Sequence, residues 1–326
     1  MRTDRLRNSF DETELKASAK SIRQNIVRMV SRNGQGYLQQ GLGAADLFTY
    51  LYFAEASLDI DNPAWEERDR IFLSTAHNSA LFHAVLAERG FFEHSRLATY
   101  TIDGSELEIN VSERLGSVVE ATCGSLGQAL SVAVGVAQAS KRQNRTFRSY
   151  VILGDGELQE GQVWEAAMYA ASNSLDNLCL IVDLNQLQVE GRTQEVMVMD
   201  PVDKKFQAFG WAVKNVDGHD FGALSAAFNQ VRSNRNMPSV ILAHTIVGKG
   251  IPAAHWERTA ERGFQLVYGS TANLFIDRHG DYIGYGPEAM ELVGIPDPET
   301  FAQLPWDKRV ARVYCTCFRN REEREN

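Results

Sequence analysis

The chain has little cysteine. Four cysteines in 326 residues are too few and too scattered for a disulfide framework. Cys123 and Cys179 stand in apolar surroundings and read as buried thiols. Cys315 and Cys317 form a lone Cys-x-Cys without a second pair or nearby histidines, so no zinc site is expected there. Positive charge is not in excess either. A net charge of −9 excludes broad electrostatic attraction for nucleic acid or an anionic membrane. The early basic residues (Arg2, Arg5, Arg7, Lys16, Lys20, Arg23, Arg28 and Arg32) alternate with acidic and polar ones, as on a helix surface. No apolar run reaches the roughly 18 residues of a membrane span, and no leader-like apolar core is seen. Together these absences point to a reduced, cytoplasmic setting. What is present is an ordinary globular composition, 44% hydrophobic and 23% charged, able to bury a large core.

No internal repeat or low-complexity linker interrupts the chain. Residues 1–31 read as a helical entry arm. Short apolar runs at 70–73, 149–153, 177–183, 211–216 and 239–246 are strand candidates, and helices are expected at 42–56, 77–90, 125–142, 160–173 and 219–233. Such alternation predicts an α/β fold: a doubly wound, mostly parallel sheet with helices on both faces. Residues 1–250 form one domain in this reading. From 251 the texture turns loop-rich, and 251–326 is expected to be an extension that acts as a lid or docks a partner.

The most informative stretch is Gly154-Asp155-Gly156-Glu157, read with Asp183-Leu184-Asn185. The apolar run Ser149–Leu153 leads directly into the Gly-Asp-Gly turn, and Asn177–Asn185 reads as a second buried strand. A strand–helix–strand unit of this length is a right-handed parallel crossover, with ligands at the carboxyl ends of its strands. Asp155 and Asn185 fall at those ends. Magnesium, or calcium, takes oxygen donors and bridges carboxylates to phosphates. The Asp155 carboxylate, the Asn185 amide oxygen and the Leu187 carbonyl are three such donors. Gly154 and Gly156 let the backbone come close to a diphosphate. Taken alone, Gly-Asp-Gly is more often a simple turn; the second strand at the right distance favours the metal reading.

GDGELQEGQVWEAAMYAA followed by DLNQLQVEG resembles the thiamine-diphosphate motif of transketolases, and in particular the N-terminal subunit of split transketolases. Arg68–Phe92, Ala121–Arg142 and Leu42–Phe53 resemble further ordered segments of that family, and the likeness runs over roughly residues 15 to 250. It implies the thiamine-diphosphate-binding fold of the diphosphate-gripping type, with thiamine diphosphate and Mg2+ (or Ca2+) as cofactors. His77 matches the family histidine beside cofactor and substrate. Gly124, Ser125 and Leu126 match the Gly-Ser-Leu turn against the cofactor, and Gly154, Asp155, Gly156, Glu157, Asn185 and Leu187 match the diphosphate and metal motif. Glu160 and Glu165 match glutamates at an inter-subunit contact, where Glu160 helps couple cofactor sites. The bland readings stand beside these: His77 as a structural hydrogen-bonder, Ser125 as a helix N-cap, and Glu160 and Glu165 as a solvated helix face.

Full-length family members carry a second domain, which grips the aminopyrimidine and supplies a glutamate to it. Only 76 residues follow Gly250, too few for that domain. The expected partner is therefore a separately encoded pyrimidine-domain subunit, in an α2β2 assembly. Substrate histidines of the family are replaced. Tyr37 and Asn110 stand at two of them, and neither is a titrating base near neutrality. His255 matches a third only by loose analogy. Lys249 and Arg258 are candidates for an anionic group, with solvated charge as the default. The expected reaction is transfer of a two-carbon ketol unit from a keto or sugar donor in specialised metabolism. An alternative is a 2-oxo acid decarboxylating component, like the first subunit of pyruvate dehydrogenase, that serves a lipoyl group or carrier protein. A decayed, non-catalytic scaffold is the reading outside enzymes.

Overall fold

The computed structural model describes residues 11–33, 35–188 and 191–250. Chain order begins with α1 (Glu12–Asn33) and α2 (Leu38–Tyr50), the latter running into a π-helical turn at Leu51–Glu55. β1 (Arg70–Leu73), α3 (Ser79–Arg89), α4 (Gln128–Arg142) and β2 (Ser149–Gly154) follow. After a 3-10 turn at Asp155–Gln159 come α5 (Gly161–Ser172) and β3 (Leu178–Leu184). A small hairpin, β4 (Leu187–Gln188) with β5 (Gly191–Arg192), leads into α6 (Thr193–Val196) and α7 (Val202–Ala208). β6 (Ala212–Asp217), α8 (Phe221–Ser233) and β7 (Ser239–His244) complete the described fold.

The five long strands form one sheet in the order β1-β2-β3-β7-β6, every pair parallel. Period-two alternation divides their side chains between two cores. Ile71, Tyr150, Ile152, Ile181 and Ile241 pack with α1, α2, α3 and α8, whereas Phe72, Val151, Leu153, Leu180, Val182 and Leu242 pack with α4, α5 and α7. Burial on both faces explains why these strands read as continuous apolar runs. The doubly wound parallel sheet expected from the alternating pattern is thus the observed one.

Several boundaries shift for identifiable reasons. Ser125 is not a helix N-cap: α4 starts only at Gln128, behind Gly127 at φ +74°. A Cβ on Gly127 would lie 2.7 Å from Val163 Cγ2, so this turn is pressed onto α5. The α2 reading began too late, because helix starts at Leu38 and passes into the π turn at Leu51. α8 begins at Phe221, two residues after the expected start, its N-terminus capped by Asp220, which accepts the Ala223 N–H at 3.0 Å. The α7 helix and the β4–β5 hairpin were not anticipated. The extension from 251, with His255, Arg258, Cys315 and Cys317, lies outside the described residues, as does the start of the entry arm. Among the described residues no helix is long and apolar enough to cross a membrane.

Candidate functional site

All five strands of the sheet point their carboxyl ends the same way, and a cavity of about 350 Å³ opens there. Loops from separate elements reach it: Thr75 and His77 after β1, Gly154–Glu157 after β2, Asn185, Leu187 and Gln188 after β3, and Val247 after β7. Gly124 and Leu126 enter from the turn before α4, and Tyr37, Gln39 and Gln40 from the start of α2. Asn110 closes one side. Its loop is held to the β1 turn by the Val111 N–H, which donates to the Ala76 carbonyl at 3.0 Å.

Asp155 and Asn185 come together as the strand register requires, since Gly154 pairs with Asp183 across β2 and β3. Asp155 Oδ2 accepts the Gln186 N–H at 2.5 Å and its Oδ1 accepts the Gly156 N–H at 2.9 Å. The Asn185 side chain accepts the Leu187 N–H at 3.0 Å and donates to Asp183 Oδ2 at 3.2 Å. Asp183, itself buried, also accepts from the Thr245 hydroxyl. Burial first, and the neighbouring Asp183 second, push the Asp155 carboxyl up to about 7, against the opposing pull of the backbone amides. Two buried carboxylates side by side, one of them open to a cavity, are a site that a divalent cation would stabilise. Among the described residues no group of three His, Cys, Asp or Glu side chains gathers to hold a metal. A cation here would therefore rely on one carboxylate, an amide oxygen, a carbonyl and the oxygens of a ligand, which is the donor set that suits magnesium with a diphosphate. The residues fit that group.

Glu157 takes a role the sequence did not reveal. It borders the cavity, yet its buried carboxylate accepts the Gly154 N–H at 2.8 Å, the Gly127 N–H at 2.8 Å and the Ser74 hydroxyl at 2.6 Å. It braces three loops against one another. Burial raises its carboxyl above the usual range, and those donors oppose the rise.

His77 lies against Gln40, with Nε2 to Oε1 at 3.0 Å, and its ring meets Tyr37 at a centroid distance of 4.5 Å. Burial lowers its imidazole to about 4, so it is neutral at physiological pH. Ser125 and Glu160 do not line the cavity and are exposed, as is Glu165 on α5. Leu126, at the mouth, is 42% exposed. Burial raises the Cys123 thiol to about 11, in keeping with an inert buried cysteine.

Sequence reasoning missed Gln39, Gln40, Thr75, Gln188 and Val247. A Gln-Gln doublet opening an otherwise apolar and small-residue helix was the available signal. Gln39 Nε2 and Thr75 Oγ1 are buried with no hydrogen-bond partner among the described residues, and both residues line the cavity. Such atoms in a native structure call for an explanation, and beside a cavity a ligand or water oxygen is one that can be tested.

Residues 15–270 match the family model for transketolase, thiamine diphosphate binding domain. The chain is 37% identical over 242 residues to 6-deoxy-6-sulfo-D-fructose transketolase subunit SqwG of Clostridium sp., covering 74% of this chain and 88% of that one. It is 37% identical over 244 residues to an apulose-4-phosphate transketolase subunit from Actinobacillus succinogenes, covering 74% and 87%. Among solved structures, transketolase from Leishmania mexicana superposes with a TM-score of 0.70 at 27% identity; the match covers 72% of this chain and only 37% of that enzyme.

Proposed function

From the premise that this chain belongs to the transketolase family, through its thiamine diphosphate binding domain, we propose that it is the diphosphate-binding subunit of a split transketolase-like enzyme. It moves a two-carbon ketol unit from a ketose donor to an acceptor carbonyl. The observation that carries this reading is the placement of Asp155 and Asn185 at the ends of adjacent parallel strands, on one cavity with His77, Gly124 and Leu126.

In this reading the Asp155 carboxylate, the Asn185 amide oxygen and the Leu187 carbonyl hold Mg2+ (or Ca2+). Gly154 and Gly156 face the diphosphate, His77 lies beside cofactor and substrate, Gly124 and Leu126 face the ring system, and Glu157 keeps the loops in place. Ser125 contributes backbone to the same turn. Thiamine diphosphate, when bound, supplies an electron sink for a carbanion beside a former carbonyl. The chain orients the donor and exchanges hydrogen bonds with its hydroxyls through the neutral His77, Tyr37, Asn110 and the α2 glutamines. Glu160 and Glu165, exposed at the start of α5, meet the partner, and Glu160 takes part there in coupling cofactor sites. The names of the relatives, both subunits of transketolases, support a separate partner subunit; in this reading it carries the pyrimidine domain and pairs with this chain as α2β2. The same names favour ketol transfer over decarboxylation to a lipoyl or carrier protein. Both names carry an anionic sugar, one a sulfo sugar and one a phosphate, which supports an anionic ketose as the donor; the reaction is placed in the cytoplasm.

The test is calorimetric titration of thiamine diphosphate with magnesium into the reconstituted pair, followed by donor cleavage. Binding that survives Asp155→Ala sinks the metal assignment. Turnover by this chain alone at ordinary rates of about 1 to 10³ per second sinks the split site. Carbon dioxide release from pyruvate in place of ketose cleavage sinks the ketol reading.

A further inference from the structure

Gln40 is the one residue of α2 that is not buried, and it spans two parts of the site. Its Oε1 lies 3.0 Å from His77 Nε2. Its Nε2 faces the β2 turn, where a Cβ on Gly154 would sit 4.0 Å away. An amide oxygen can only accept, so the imidazole nitrogen that meets it carries the hydrogen. A neutral imidazole has only one such hydrogen, which leaves Nδ1 as a bare acceptor. The Tyr37 ring, tilted 52° to the imidazole at 4.5 Å, bears on the same side chain and limits its rotation. The carbonyl end of the Gln40 amide lies toward His77 and its NH2 end toward the Gly154 turn.

We propose that Gln40 is a positioning residue that locks His77 in its Nε2–H tautomer, so that the site presents Nδ1 as a hydrogen-bond acceptor to a hydroxyl group of the donor. Burial keeps the ring neutral at physiological pH, and this agrees with an acceptor role. The ligand class that such an acceptor recognises is a hydroxylated ketone, and this part of the inference rests on the function proposed above. The tautomer lock does not. It is a property of the chain without cofactor, and it is measured there.

The experiment is nitrogen NMR of the full chain labelled with 15N in its histidine rings, at neutral pH, with His77 assigned by difference against His77→Asn. A single form with protonated Nε2 and bare Nδ1 is expected. Gln40→Leu removes the acceptor and yields a mixture of tautomers, whereas Gln40→Glu, which keeps an acceptor oxygen, restores the Nε2–H form. A wild-type ring protonated at Nδ1, or already mixed, overturns the proposal, as does an unchanged spectrum in Gln40→Leu. Because the wild-type arm decides by itself, failure of a variant to fold does not shelter the idea. Thiamine diphosphate binding is measured separately by calorimetry. Its absence counts against the proposed function and leaves the tautomer result standing, and a mixed tautomer does the reverse.

Discussion

His219 donates its Nδ1–H to Asp46 Oδ2 at 2.8 Å and accepts the Ile246 backbone N–H at Nε2 at 2.9 Å. Asp46 in turn receives both Arg23 Nη atoms, at 2.9 and 2.6 Å, and Arg23 Nε donates to the Leu42 carbonyl. One buried hydrogen-bonded chain thus ties α1, α2 and the turn before α8 to the segment after β7, which carries Val247 to the cavity. Close backbone approach does the same job beside it: a Cβ on Gly43 would meet the Ile246 carbonyl oxygen at 2.9 Å, and the Gly248 N–H donates to the Gln39 carbonyl.

Breaking this chain costs more than a surface ion pair. Asp46→Asn leaves the Arg23 guanidinium buried beside a neutral amide, and removing one partner of a buried pair costs about 3–5 kcal/mol. Urea unfolding at neutral pH measures it. Burial opposes ionisation of Asp46, but hydrogen bonds from His219 and Arg23 outweigh it and hold the carboxyl below its ordinary value. The stability is therefore present above the unfolded-state value of 3.8 and is lost as pH falls through the lower folded-state value. A variant as stable as the parent would mean that the pair is energetically idle.

His83 supplies a second pH effect in a different window. It is fully buried in α3, its Nε2 bonds the Glu108 carbonyl at 3.2 Å, and its Nδ1 has no partner among the described residues. Burial lowers the imidazole from 6.5 to about 4. The unfolded chain then takes up a proton below 6.5 and the folded chain only near 4, so stability falls as pH drops across that interval. The loss is on the order of 3 kcal/mol. His83→Leu flattens the dependence of unfolding free energy on pH between those values. Equal slopes in parent and variant refute the assignment.

Much of this was legible in advance, and what was not has a common cause. Strands such as Ser149–Gly154 and Leu178–Leu184 announce themselves because burial on both faces demands unbroken β-branched and aliphatic runs. Asp155 and Asn185 follow from strand ends and register. Glu157 matches the family's diphosphate motif in sequence and borders the cavity, but its bracing role is not visible there. Its three donors come from Ser74, Gly127 and Gly154, and only tertiary structure brings Ser74 and Gly127 to it. Ser125 was read as a possible cap because positive φ at Gly127 leaves no mark beyond the glycine itself. Gln40 was passed over because one polar side chain on a helix normally faces water.

Asp155 is held at a cost to the chain that carries it. Its carboxyl, raised to about 7 by burial, resists ionisation, so the folded state loses stability as pH rises from 3.8 toward 7 unless a cation compensates. Asp155→Asn removes the charge, and the metal-free chain is expected to gain about 1–2 kcal/mol at pH 8 while losing magnesium-dependent thiamine diphosphate binding. In the parent, protons compete with the cation, and affinity for magnesium is expected to fall about tenfold per pH unit below 7 and to level off above it. Thermal melts with and without magnesium, and calorimetry across pH, read both effects. A destabilised variant that still binds cofactor with magnesium would falsify the placement of the cation.

Gln39 and Thr75 carry the opposite signature to a structural residue. Each has a buried polar atom facing no partner among the described residues, Nε2 on one and Oγ1 on the other, and each borders the cavity. An unmet buried donor costs about 1–3 kcal/mol, and that cost is recovered when a ligand oxygen arrives. Gln39→Leu and Thr75→Val are therefore expected to raise the stability of the free chain by about 1 kcal/mol and to weaken ligand binding about tenfold, since one neutral hydrogen bond is worth near 1 kcal/mol or slightly more. Urea unfolding of the free chain, with cofactor affinity and donor KM of the reconstituted enzyme, separates two sources of the oxygen. Loss of thiamine diphosphate affinity assigns the donor to the diphosphate; a raised KM at unchanged cofactor affinity assigns it to the substrate. Variants that lose stability and bind as before would show that these atoms serve the core, and the cavity would then have no claim on them.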